Sequence, residues 1–173
     1  PTKSDYNNLR ATQAQPLNAR RSEALNAIFR RKMMLFEIKK GTNISHWLSQ
    51  SGRRGEDRKG QFTREDCKRL ADLGLDHLRL PIDEEQMWDE ENNRETEAFD
   101  LLNQALDWCE EDGMKAIVDL HILRCHYFNA EKGSNTLFSD PASAAHFGDL
   151  WIDLQKELRT RSVDQVAYEL MNE

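Results

Sequence analysis

Apolar and polar positions switch between two spacings along the chain. Ile38 to Ile44 reads as a first strand, with Gly41 permitting close backbone approach. It runs into Asn43, Ser45, His46 and Trp47, after which residues 49–60, with three glycines and several charges, read as a loop. Thr63 before Arg64-Glu65-Asp66 has the form of a capped helix start. Phe62, Cys67, Leu70, Ala71 and Leu73 supply the apolar stripe, and Gly74 the stop. Leu75 to Pro81 predicts a second strand finishing at Pro81, which lacks a ladder donor. An acidic loop from Asp83 to Asn93 carries Met87 and Trp88. Glu97 to Asp112 then predicts a helix with Phe99, Leu102, Ala105, Leu106 and Cys109 on one face and Gly113 as its stop. Met114 to Leu120 predicts a third strand ending at His121. A loop from Ile122 to Asp140 follows, and Asp140-Pro141 opens a helix whose face is Ala144, Phe147, Leu150, Trp151, Leu154 and Leu158. Val166 to Met171 is a fourth strand, interrupted by Glu169, and Asn172-Glu173 falls at its carboxyl end.

Strand and helix thus alternate through three units and a fourth strand, which calls for a parallel sheet covered by helices. Both a doubly wound sheet and a (β/α)8 barrel fit that order. Polar and aromatic residues gather after every strand rather than at one crossover, which favours the barrel. A closed barrel commonly takes ~250 residues, so the 173 residues supply about its first four strands. Residues 37–173 are read as that half-barrel. Residues 1–36 are read as an N-terminal arm, polar to about Gln15 and then helical from Leu17 to Met34, with Arg20, Arg21, Arg30, Arg31 and Lys32 on a solvated face.

Composition narrows the function classes. With 24 basic against 31 acidic residues the net charge is −7, which argues against a nucleic-acid partner. A 38% hydrophobic and 32% charged content describes a polar globular protein. No apolar run approaches the ~20 residues of a membrane span, and Met33-Met34-Leu35-Phe36 is too brief and too far along for a signal peptide's hydrophobic core. Cys67, Cys109 and Cys125 have neither metal spacing nor a pairing framework, and they leave the compartment open.

In parallel barrels the chemistry lies at the carboxyl ends of the strands, where this chain places Asn172-Glu173, Arg79 and His121. The motifs Gly41-Thr42-Asn43-Ile44 with Trp47, His77-Leu78-Arg79-Leu80-Pro81, Val118-Asp119-Leu120-His121 and Tyr168-Glu169-Leu170-Met171-Asn172-Glu173 together resemble the first half of glycoside hydrolase family 5, the cellulase-like retaining β-glycanases. The resemblance spans about Phe36 to Glu173. It implies Glu173 as general acid/base and Asn172 as the amide on the sugar 2-hydroxyl. It implies Arg79 as the arginine supporting the catalytic carboxylates and His121 as a lining of the subsite beside the cleaved bond. Substrate contact is expected also from Trp47, Trp88, His126, Tyr127 and Phe128, by residue type and loop placement. β-1,4-Glucan is the default substrate, with mannan, xyloglucan and smaller glucosides open. The resemblance further implies a secreted or periplasmic setting and no cofactor.

A retaining glycosidase needs a protonated carboxyl near the leaving oxygen and an ionised one roughly 5–5.5 Å away. The family's second carboxylate follows a seventh strand, beyond these residues. Glu169 cannot stand in, since it precedes Glu173 by about 13 Å of strand, and it is expected to pair structurally. The 173 residues alone are therefore expected to be inactive and to seek a complementary C-terminal half of the barrel. Two alternatives stay open: a non-catalytic carbohydrate-binding half-barrel, and a metal-dependent hydrolase built on His121, His126 and Glu131, whose loop spacing is poor for a metal site.

Overall fold

The computed structural model describes residues 36–127 and 135–172. The arm up to residue 35, Phe128, Glu131 and Glu173 lie outside the described residues. The elements are β1 (Gly41–Asn43), α1 (Glu56–Lys59), α2 (Arg64–Asp72), β2 (His77–Asp83), α3 (Glu84–Met87), α4 (Thr96–Glu111), β3 (Lys115–Ile122), α5 (Pro141–Leu158) and β4 (Val166–Glu169).

The four strands form one parallel sheet in the order β1-β2-β3-β4. A doubly wound sheet reverses its strand order at a switch point. This one adds each strand beside the last, as a barrel does. Registers Leu78↔Ala116↔Val166 and Leu80↔Val118↔Tyr168 put the even-numbered residues of β2, β3 and β4 on one face. Leu78, Leu80, Ala116 and Val118 are buried there in the same core as Leu102, Ala105, Leu106, Leu150 and Leu154 of the covering helices. The odd-numbered residues are left to the opposite face.

Helix boundaries follow local chemistry. Thr63 and Asp66 close a reciprocal capping box at α2, and Asp140 accepts from the N–H groups of Ala142 and Ser143 with Pro141 in the first turn of α5. Gly74 at φ 80 and Gly113 at φ 69 adopt the left-handed backbone that ends α2 and α4. At the amino end of the sheet, Gly41 lets the backbone close on His77: a Cβ there would fall 2.3 Å from the imidazole.

Three expectations need correction. The second strand does not finish at Pro81 but runs on to Asp83. The reason is directional: the Arg79 carbonyl accepts from Ile44 N–H, and Asp83 N–H donates to the Leu48 carbonyl, so the backbone N–H and C=O positions of odd residues of β2 face the β1 side. β1 has ended by the level of Pro81, so no ladder bond is lost there. The glycine-rich loop 49–60 contains the turn α1, whose Arg58 is only 1% exposed and bonds Glu97 and Gln86. The acidic loop opens with the turn α3, whose Glu84 is 0% exposed and accepts from Arg124 at 2.6 Å and from His146 at 2.7 Å. These paired charges tie the loop after β3 to α3 and α5.

Candidate active site

Odd-numbered positions at the carboxyl ends of the strands converge. Register aligns Pro81↔Asp119↔Glu169 and sets Asn43 beside Arg79, so Asn43, Arg79, Asp119 and Glu169 share a face. Arg79 is their centre. Its Nε and Nη2 donate to the two Glu169 oxygens at 2.7 and 2.8 Å, and Nη1 donates to Asn43 Oδ1 at 3.0 Å. Nη2 also reaches Asn172 Oδ1 at 3.1 Å and forms an ion pair with Asp119 Oδ2 at 2.7 Å. The planar fork of a guanidinium suits this simultaneous recognition, which an ammonium could not reproduce. The fork holds the Glu169 carboxyl below the usual glutamate range, against a smaller opposing effect of burial.

Asp119 is 0% exposed, and its Oδ2 also meets His121 Nδ1 at 2.7 Å. A register shift between Ile82 and Asp83 sets Asp83 opposite Ile122, the kind of irregularity that re-aims a side chain at a site's rim. Asp83 Oδ2 accepts from Gln50 N–H at 2.6 Å, and burial pushes this carboxyl above the usual aspartate range. Gln50 Nε2 in turn lies 2.8 Å from His121 Nε2.

Of the residues singled out in the sequence, Arg79 and Asn172 meet directly, and His121 joins them through Asp119. Tyr127 is half-buried on the loop after β3, its hydroxyl donating to Glu85 at 3.3 Å and its backbone locked by Asn135. His126 turns into that same loop, bridging the Leu123 backbone and packing edge-on against Phe138. Trp47 corrects an expectation. A sugar platform needs an open ring face, and Trp47 is 1% exposed with Phe62 edge-on at 5.3 Å. Trp88 is likewise a core residue, its Nε1 donating to Asp153. Among the described residues no trio of His, Cys, Asp or Glu is grouped to hold an ion, and Glu131 of the alternative metal site lies outside them.

Asp119, Glu169, Asp83 and Gln50 complete the cluster and had no catalytic-site role in the sequence reading. Strand parity held the signal for two of them. Asp119 stands two before His121, and Glu169 aligns with Asp119, so both share the polar face. A cleft of about 640 Å³ lined by Thr63, Arg64, Glu97, Asp100, Gln104 and Trp108 is built on α2 and α4 and includes none of the strand-end residues.

Comparison with known proteins accords with this geometry. The family model described as cellulase, glycosyl hydrolase family 5, matches residues 39–173. The chain is similar to Endoglucanase C of Acetivibrio thermocellus, with 30% identity over 142 residues, covering 80% of this chain and 41% of that protein. It is similar also to Cellodextrinase A of Ruminococcus flavefaciens, at 28% identity over 79% of this chain and 40% of the relative. Among solved structures, a GH5-4 broad-specificity endoglucanase from an uncultured bovine rumen ciliate superposes with a TM-score of 0.63 at 19% identity, over 81% of this chain and 40% of that one. A family 5 enzyme of Prevotella bryantii B14, solved with a xyloglucan tetradecasaccharide, gives 0.63 at 17% identity, over 81% of this chain and 42% of that one. The chain belongs to glycosyl hydrolase family 5. Its four sequentially ordered parallel strands form part of the (β/α)8 barrel. The matched span is 41% and 40% of the length of the two curated relatives.

Proposed function

We propose that a polypeptide carrying this segment hydrolyses internal β-1,4 linkages of a glucan, with retention of configuration. Glu173 is its general acid/base, and a carboxylate outside these 173 residues is its nucleophile. The observation that carries the reading is the hold of Arg79 on Asn172 at the end of β4. Arg79 occupies the amide oxygen, so Asn172 Nδ2 is the end left to donate to a sugar oxygen. The next residue in the chain is Glu173. A donor fixed in advance at the 2-hydroxyl strengthens as the oxocarbenium-like transition state forms. His121 and Tyr127 line the neighbouring subsite in this proposal. The names of the relatives, an endoglucanase and a cellodextrinase, support β-1,4-glucan as the substrate class.

The double displacement needs two carboxylates and no cofactor. A polypeptide limited to these 173 residues has the acid without the nucleophile. Its β1 and β4 are sheet edges, and Tyr168 and Leu170 beside the second edge are exposed. In the proposal a complementary C-terminal half covers them. The test compares the complete polypeptide with the 173-residue segment on carboxymethylcellulose, by reducing-end release and sedimentation. The complete form is expected to release reducing ends, and the segment to release none and to self-associate. Turnover by the segment would overturn the placement of the nucleophile. Glucan binding without reducing-end release by the complete form would favour the carbohydrate-binding alternative.

A further inference from the structure

We propose that Gln50 is a positioning residue that holds the orientation of His121 and keeps its Nε2 free of a proton. The kinetic part of this proposal rests on the hydrolase reading above, and the structural part does not.

The first observation is backbone strain. Gln50 sits at φ 51, in the left-handed region that a side chain of this shape rarely adopts. Such conformations persist where the surroundings enforce them, and they cluster at functional sites. Here the enforcement is visible. Asp83 N–H donates to the Leu48 carbonyl at 2.8 Å, and Asp83 Oδ2 accepts from Gln50 N–H at 2.6 Å, so the end of β2 clamps the loop from both directions. The Gln50 carbonyl also meets His46 Nδ1 at 3.1 Å.

The second observation is where the clamped side chain points. Asp119 Oδ2 already takes the Arg79 charge, so as a carboxylate it accepts a proton-bearing Nδ1 from His121 at 2.7 Å. In the neutral ring, Nε2 then carries a lone pair. The group facing it at 2.8 Å is the Gln50 amide nitrogen, a donor. Arg79, Asp119, His121 and Gln50 thus form one series that converges on Asp119 from both sides, in which each donor faces an acceptor. Asp83 on β2 and Glu169 on β4 also lie within electrostatic range of the ring. The hydrogen bond of Nδ1 to Asp119 sets which nitrogen carries the proton. Gln50 meets the other nitrogen with a donor, which opposes a second proton there and holds the plane of the ring, and the strained loop delivers it.

The test uses the complete polypeptide with ring-15N histidine, the His121 signals being assigned by their loss in His121→Gln. Wild type is expected to show a protonated Nδ1 and a bare Nε2. Gln50→Glu replaces the donor with an acceptor and is expected to protonate both nitrogens. Gln50→Asn keeps an amide and tolerates the left-handed backbone, but it falls one methylene short of the ring. It is expected to leave the melting temperature unchanged, shift the Nε2 signal, and lower kcat about 10-fold or more with little change in KM. Restoring Gln at this position restores kcat. Identical His121 nitrogens in all three proteins, or an unaltered kcat in Gln50→Asn, would overturn the proposal. A wild type that hydrolyses no glycan would defeat the hydrolase reading, while the nitrogen signals would still decide the role of Gln50.

Discussion

Glu173→Gln in the complete polypeptide is expected to slow cellulose-type substrates by about 10²- to 10⁴-fold and activated aryl glycosides far less. The unequal loss follows from the chemistry of the leaving group. An alkoxide sugar departs only when protonated, so removing the acid costs the whole contribution of general acid catalysis. A nitrophenolate departs unaided, and glutamine is nearly isosteric with glutamate. The check is kcat/KM for both substrate classes under one condition. Equal losses would show that Glu173 acts in some other way than as the acid.

Arg79→Met is expected to lose both stability and turnover. Asp119 is 0% exposed, and among the described residues its Oδ1 has no hydrogen-bond partner, so deleting the guanidinium leaves a buried carboxylate with the His121 ring but without its arginine. Breaking one side of a buried pair costs about 3–5 kcal/mol. The Glu169 side chain is 36% exposed, and its pair with Arg79 is screened, adding at most about 1 kcal/mol. Turnover is expected to fall by about 10²-fold or more, because Asn172 loses the contact that orients its amide. Arg79→Lys restores the charge but not the fork, and is expected to recover stability better than kcat.

The pH dependence of the Arg79–Glu169 pair has a definite sign. The folded Glu169 carboxyl is depressed by Arg79, so its contribution is full above the unfolded value of about 4.3 and disappears as pH falls through the lowered folded value. The stability gap between wild type and Arg79→Met, measured by urea unfolding, should therefore narrow below that pH. A gap that widened on acidification would contradict the pairing.

Much of the fold was readable because its signals are local. The Thr63–Asp66 box, Gly74, Gly113 and Asp140-Pro141 each act within a few residues, and the structure places helix ends at each of them. Pro81 misled because its cost depends on whether a neighbour faces its nitrogen, which only the short length of β1 decides. The burial of Arg58 and Glu84 was not readable. Their partners Glu97 and His146 stand 39 and 62 residues away, and nothing local separates a paired buried charge from a solvated one. Trp47 and Trp88 failed as platforms for the same reason: an aromatic side chain in a loop declares its chemistry, whereas its burial depends on what folds over it. At the candidate site, motif order placed Arg79, His121 and Asn172 at the strand ends, where the structure brings them together, and their roles in catalysis are proposed. Gln50 was not readable, because its role depends on a left-handed turn and a clamp from Asp83.

The most direct test of the central claim is the anomeric form of the first product. Proton NMR of the complete polypeptide acting on a β-1,4-linked cello-oligosaccharide, followed before mutarotation, is expected to show the β-anomer appearing first. The α-anomer appearing first would mean a single inverting displacement, and would contradict the two-carboxylate mechanism proposed around Glu173.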